Sequence, residues 1–531
     1  MPPITDNPPP ARAGRKEWIG LGAIALACVL YVMDLTVLHL AVPSISKDLR
    51  PSSTQLLWII DVYGFLVAGS LITMGTLGDR IGRRRLLMTG AGAFGIGSVL
   101  AAFSTSAEML IATRALLGIA GATLAPSTLS LIRNMFLDSK QRTRAISIWI
   151  TSFSVGAAIG PLLGGLVLEF FWWGAAFLLN VPIMAALLIL APRLLPEYKD
   201  PSAGRPDWTS AALSLTAVLA IIFGLKQIAQ DGVGWLSIVS IVGGLIVGRV
   251  FVKRQRTLAD PFIDLRLFRS PAFAASLATY GLGVFVMFGG YLFIPQFLQL
   301  VLGLSPLEAG LWTLPWALAF VVGSQITPRL AGSVRPAYLM AGGLLMAAAG
   351  FAVLTQADAR SGVTIVTLGS IVFSLGTAPL FTLTNDLIIG SAPPERAGAA
   401  AGMSETAAEF GGALGIAAFG SLGVAVYRSA MADGIPFGVS SEAARIARDT
   451  LGGAVEVAGQ LPARLGAPLL ETARDAFAHG MHLTAVISSV GTLVLAILVA
   501  TLLRRAQLGA EPESDSNDAD AAAQVEVATG H

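Results

Sequence analysis

Apolar positions run for about 20 residues at a time along most of the chain, separated by short segments that hold glycine, proline and charge. A run of that length crosses the roughly 30 Å hydrocarbon core of a bilayer as a helix rising 1.5 Å per residue. Fourteen such runs are present, at 18-41, 54-75, 86-104, 107-131, 144-168, 172-192, 208-227, 235-252, 273-300, 307-327, 336-355, 362-387, 397-426 and 480-503. The pattern predicts an all-α polytopic membrane protein. Between the last two runs, residues 428-478 are too polar to span, yet SSEAARIARDTLGGAVEVAG and ARLGAPLLETARDAFAHG keep helical periodicity behind a Ser440/Ser441 start signal. A small external helical hairpin is expected there.

The ends of the chain differ from its middle. The first residues are rich in proline and lead into the first apolar run without a small-residue cleavage site, so 1-17 reads as a disordered lead-in and not a signal peptide. The acidic stretch 505-531 lacks large apolar residues apart from Val and is expected to stay disordered.

Composition agrees with the pattern: 54% hydrophobic and 13% charged, against roughly a quarter charged in soluble domains. A net charge of +2, with no basic segment interleaved with aromatics, excludes nucleic acid as a partner. Cys28 is the single cysteine, so no disulfide framework exists. Four histidines, at 39, 479, 482 and 531, with no Cys/His cluster and no nucleophile elbow, argue against a metal centre or a membrane enzyme. Most of the 35 Lys and Arg residues fall on one side if the N-terminus is cytoplasmic. The positive-inside rule then places both termini in the cytoplasm.

Ionisable residues inside the runs are the candidates for function, because each costs about 2.5 to 3.5 kcal/mol at the bilayer centre. Asp34 interrupts YVMDLTVLHL, Asp61 lies in the second run and Arg114 in the fourth. Counted along each helix, all three sit about 10 Å below the outer hydrocarbon edge, so one cavity could hold them, with Asp34 or Asp61 as counter-charge to the arginine. Glu405 and Glu409, four residues apart, share a helix face with Gly402 and Gly412 beside them. Two carboxylates so close in low dielectric cannot easily both ionise, so the pair is expected to hold and pass a proton. Asp386 and His39 lie nearer the interfaces, where a plain polar role is the simpler reading. The intramembrane tally is four acids against Arg114, and Trp58, Tyr63, Trp149, Phe153, Tyr280, Tyr291, Trp312 and Trp316 fall around them. Such faces attract organic cations.

A repeat is visible in the turns. GTLGDRIGRRRLLMTGAG after the second run has a weaker echo in SQITPRLAGSVRPAYLMAGG after the tenth. The spacing suggests two six-helix bundles, 18-192 and 271-504, joined by a linker at 193-270 that carries two extra helices.

GTLGDRIGRRRLL at 75-87 resembles the inner-loop signature of the major facilitator superfamily, with Gly75, Asp79, Arg80, Gly82 and Arg83 at fixed positions. GAAIGPLLGG, with Gly156, Gly160, Pro161, Gly164 and Gly165, is similar to its antiporter signature, and RALLGIAGA to its buried-arginine motif. MDLTVLHLAVPSI, PFIDLRLFRSPAF and SETAAEFGGALGIA resemble segments of the fourteen-helix drug:proton antiporters, especially the QacA/SmvA type that exports quaternary ammonium compounds. The resemblance implies the major facilitator fold and proton-driven export of lipophilic organic cations by a monomer in the lipid bilayer, with no cofactor beyond the proton gradient. Export of a neutral or anionic metabolite, or of an endogenous antibiotic, is the alternative.

Overall fold

In the computed structural model, fourteen helices among the described residues are long and apolar enough to cross a membrane. In chain order, spans 1 to 14 are Arg15–Leu49, Ser53–Leu71, Arg83–Ala102, Ala107–Met135, Arg144–Phe170, Ala175–Leu194, Trp208–Ile228, Trp235–Gln255, Pro271–Val301, Pro306–Ala331, Pro336–Leu354, Gly362–Gly390, Gly402–Ala432 and Ala463–Leu502. The structure describes residues 12–199, 207–258, 261, 265–359, 362–391 and 397–504. The acidic tail, most of the proline-rich lead-in and parts of the 193-270 linker lie outside these. An even number of spans brings both ends of the described chain to one side, the terminal side; the opposite is the far side.

Two sequence expectations need correction. Residues 15–17, placed in a disordered lead-in, form the first turn of span 1, where Glu17 accepts a 2.7 Å hydrogen bond from the Gly14 N–H. The external hairpin is built differently as well. Ser440 caps a helix Ser441–Asp449, and Leu451–Gln460 follows it. The second expected limb, ARLGAPLLETARDAFAHG, is continuous with span 14 in one 40-residue helix. Nothing in that stretch breaks a helix: its Pro468 falls in the second turn, close to where a missing N–H matters least.

The packing repeats. Spans 1 and 5, 2 and 4, and 3 and 6 pack together in the first half, as do 9 and 13, 10 and 12, and 11 and 14 in the second. Between halves, span 5 meets span 10 and span 2 meets span 13, contacts that a two-fold axis exchanges. Spans 7 and 8 pack on each other, and span 7 lies against spans 2 and 13. The faint repeat in the turns is thus a repeat of the whole bundle.

The glycines of span 5 explain its closest contacts. A Cβ on Gly156 would lie 2.4 Å from the Val29 carbonyl oxygen of span 1, one on Gly160 2.0 Å from Thr36 Oγ1, and one on Gly164 2.8 Å from Val37. Gly165 faces the other half, where its Cβ would meet the Pro306 carbonyl at 2.6 Å, and Gly310 sits on Pro161. Small residues replace the missing hydrophobic drive between helices in lipid with close backbone contact. Gly156→Leu is expected to lower the thermal stability of the purified protein by about 1 to 3 kcal/mol or more through overpacking. Gly92→Leu, at a glycine whose Cβ would meet nothing within 4 Å, should leave it unchanged.

The turn after span 2 is a charge cluster. Arg83 donates to Asp79 Oδ1 through Nε at 2.7 Å and to the Pro126 carbonyl at 3.2 Å. Arg84 binds the carbonyls of Pro192 and Leu195, and its backbone N–H donates to Glu197. Gly82 adopts φ +113°, and a Cβ there would strike Glu197 at 2.4 Å. Arg80 is exposed, and Gly75 has only an ordinary 3.8 Å approach to Pro126. Span ends 2, 4 and 6 are tied together by this turn.

Candidate substrate and proton site

Span 1 brings Asp34 into the interior of the first half, where it is buried against Arg114 of span 4. Arg114 Nη1 approaches Asp34 Oδ2 at 2.5 Å, and both side chains are essentially inaccessible. Asn180 of span 6 donates to Asp34 Oδ1 at 3.0 Å, and Arg114 Nε donates to the Ile59 carbonyl at 3.3 Å. A buried charge persists only when paired and hydrogen-bonded, and this pair is. Asn180 is a partner that sequence reasoning missed: an asparagine in FLLNVPIM reads as one tolerated polar residue in an apolar run.

Asp61 does not join them. Its carboxylate is turned toward span 7, where Lys226 Nζ lies 2.9 Å from it and 3.9 Å from the centroid of the Trp58 ring. The expectation that Asp34, Asp61 and Arg114 share a cavity is therefore corrected. Two buried ion pairs exist, and Lys226 is a second intramembrane cation beside Arg114. A lysine at the end of an apolar run reads as an interfacial anchor, but the helix continues to Asp231 and draws Lys226 inward. Lys226→Met is expected to cost about 3 to 5 kcal/mol in unfolding stability by leaving Asp61 buried alone. The double variant Asp61→Asn with Lys226→Met should recover most of that loss and all of the transport, read by thermal unfolding and by flux in vesicles.

With those charges paired off, the acidic surplus resides on span 13. Glu409 Oε1 accepts a 2.6 Å hydrogen bond from the Tyr31 hydroxyl of span 1, across the boundary between halves. Glu405 lies one helical turn from Glu409 on the same span. An aromatic path leads back to the buried pair. The Arg114 guanidinium sits 4.5 Å over the Tyr63 ring, and Tyr63 is 6.2 Å from Tyr31. Tyr31 also faces Phe153 at 6.3 Å, which meets Trp149 at 4.7 Å edge to face. Tyr31, unremarked in the sequence because it is neutral, forms a hydrogen bond from the first half to Glu409 of the second.

A second group of aromatics lies farther toward the far side. Tyr291 and Trp316 stack at 4.8 Å, and His39 meets Tyr291 at 5.5 Å. With Phe288 and Phe320 they line a cavity of about 130 Å3 between spans 1, 5, 9 and 10. His39, expected to be an ordinary interfacial histidine, is buried in this wall. Of the other candidate aromatics, Tyr280 meets Phe381 at 5.7 Å, Trp58 serves Lys226, and Trp312 is exposed beside Leu311. Asp386 is exposed near the end of span 12, as an interfacial aspartate would be.

Beyond this cavity the halves touch on the far side. Gln299 Nε2 donates to the Leu40 carbonyl at 3.0 Å, from a π-helical turn Phe297–Val301. Arg50, just past span 1, pairs with Glu456 of the far-side helix Leu451–Gln460. Gly452 of the same helix sits against Ser46, where a Cβ would come within 2.7 Å of the serine side chain.

Two six-span halves related by a two-fold, with charged and aromatic side chains at their boundary, define a membrane transporter. The Major Facilitator Superfamily model matches residues 24–416, and the chain belongs to that family. It is 42% identical over 502 residues to the multidrug efflux pump LfrA of Mycolicibacterium smegmatis, covering 94% of this chain and 99% of that one. It is 35% identical to the methyl viologen resistance protein SmvA of Salmonella typhimurium (91% and 97% covered), and 31% identical to the tetracenomycin C resistance and export protein of Streptomyces glaucescens (93% and 92%). Among solved structures, a bacterial homolog of the human lysosomal transporter Spinster superposes with TM-score 0.66 at 17% identity, covering 93% of this chain and 98% of that one. That likeness concerns the fold alone.

Proposed function

We propose that the protein exports lipophilic organic cations, driven by protons that enter in exchange. One observation carries this reading: Asp34 and Asp61 are paired with Arg114 and Lys226, whereas Glu405 and Glu409, one helical turn apart, have no ion pair among the described residues, and Glu409 meets the aromatic Tyr31. That combination suits a delocalised cation, which gains from a carboxylate and from ring faces together. It suits a proton equally, and the two exclude each other. With the terminal side cytoplasmic, the orientation that the positive-inside rule favours, cargo enters from the cytoplasm, and the far-side contacts between the halves support that direction. The cation displaces protons from span 13, the halves rock, and external protons reload the acids and expel it. Moving one charge through 100 mV is worth about 2.3 kcal/mol, so export of a monovalent cation uses more than one proton if the membrane potential is to help. The names of LfrA and SmvA, a multidrug pump and a resistance protein for the dication methyl viologen, support the substrate class.

The test is efflux of a fluorescent organic cation from vesicles holding the purified protein. Efflux should require a proton gradient and stop when a protonophore collapses it. Gradient-independent leakage at the same rate would refute the reading. The tetracenomycin relative favours a second reading, export of a neutral compound. Competition by a neutral polyketide, with no competition by any organic cation, would select it.

A further inference from the structure

A cavity of about 570 Å3 lies apart from the span 13 glutamates, between span 2, the inserted spans 7 and 8 and the terminal-side half of span 13. Its wall is apolar, with Leu215, Val218, Met403 and Phe410 among the lining side chains. At its rim Leu245 is 58% exposed and Phe268 41%, so the mouth opens sideways on the face that meets lipid. The volume is several times the roughly 150 Å3 that holds a benzene ring and falls in the range of ligand sites. Ser214 and Gly248, both lining it, are within about 10 Å of the terminal-side ends of their helices. That part of the cavity, with its mouth, therefore lies in the terminal-side leaflet.

Among the described residues a single charged side chain, Arg249, lines the cavity. Lys253 and Arg256, one and two turns further along span 8 and its terminal-side end, are exposed on the same helix face. A row of cations thus runs from the apolar cavity to the membrane surface. This arrangement repels a lipophilic cation, so the occupant differs in chemistry from the proposed cargo. It complements an amphiphile with one anionic head and an apolar tail. Basic pockets between spans on the cytoplasmic side take anionic lipid head groups in this way. We propose that the cavity is a site for an anionic phospholipid of the terminal-side leaflet, with an acyl chain between spans 2, 7, 8 and 13 and the phosphate on Arg249.

Thr406, Ala407 and Phe410 form the back wall, on the same helical stretch as Glu405 and Glu409. The inserted spans then have a task of their own: they shape, beside the span 2 and span 13 contact, a place for a lipid.

The experiment is native mass spectrometry of the full-length protein in detergent, titrated with phosphatidylglycerol or with phosphatidylcholine of the same acyl chains. The wild type should hold one phosphatidylglycerol at least tenfold more tightly than phosphatidylcholine. Arg249→Gln should reduce that preference at least fivefold, Arg249→Lys should keep most of it, and Gly248→Phe, which fills the cavity, should lose the bound lipid. Glycerol phosphate should not compete. Equal binding of both lipids, an unchanged preference in Arg249→Gln, or displacement by glycerol phosphate alone would overturn the proposal. Because lipid retention is read without transport, its failure is separate from failure of the efflux reading.

Discussion

Replacing Glu405 and Glu409 together by glutamine should lower gradient-driven efflux of an organic cation by about 100-fold or more, a barrier or affinity change near 2.8 kcal/mol, with the protein still folded. The amide keeps the shape of the carboxyl and can still accept the Tyr31 hydrogen bond, so packing across the halves survives. What it removes is the exchangeable proton and the negative charge. Glu409→Gln alone should have the larger effect of the single variants, because Glu409 contacts Tyr31 of the opposite half and its charge is the one that senses their separation. Glu405→Gln should be milder, since it acts through its neighbour one helical turn away. The check is vesicle efflux at a fixed pH gradient, with thermal unfolding to establish that each variant is folded. Full efflux from the double variant would remove the basis of the proposed exchange.

Asp34→Asn should be expensive in a different way. It leaves the Arg114 cation fully buried without a counter-charge, facing a neutral amide, the Ile59 carbonyl and the Tyr63 and Phe177 rings. Breaking one side of such a pair costs about 3 to 5 kcal/mol, enough to abolish accumulation of a marginal membrane protein. Arg114→Met should be as damaging, because Asp34 then keeps only its hydrogen bond from Asn180. Combining Asp34→Asn with Arg114→Met removes both charges and should restore most of the stability. Efflux, in contrast, should stay at least tenfold below wild type, because the charge that Tyr63 and Tyr31 connect to Glu409 is gone. This outcome separates the two buried ion pairs, one within the first half and one between span 2 and the inserted span 7: neutralising Asp61 and Lys226 together restores stability and transport alike, whereas neutralising Asp34 and Arg114 restores stability alone.

Much of the fold is legible along the chain because a bilayer imposes one length and one polarity on every crossing. All fourteen spans overlap the runs read from hydropathy, and the helical behaviour of residues 440 to 460 follows from Ser440 and the periodicity behind it. The site is legible in part. Charges inside apolar runs announce themselves by their cost, so Asp34, Asp61, Arg114, Glu405 and Glu409 are found without a structure. Their pairing is not, because it depends on which helix faces which. Asp61 and Arg114 stand at similar depth, yet the backbone of span 2 turns Asp61 toward Lys226 and offers Arg114 only a carbonyl. Lys226, Asn180 and Tyr31 escaped notice for the same reason: each is unremarkable until a partner from a distant part of the chain is placed against it. The aromatics divide likewise, since Trp312 and Trp316 are one helical turn apart in sequence but exposed and stacked respectively.

Proton release on cargo binding probes the exchange itself. The purified protein, in weakly buffered detergent solution with a pH indicator, is mixed with a saturating permanently charged dye. Acidification in proportion to the protein present, absent in the double glutamine variant of span 13, is the expected result. Dye binding with no proton released, or with the same release after both glutamates are replaced, would contradict competition between cargo and hydrogen ions at those residues.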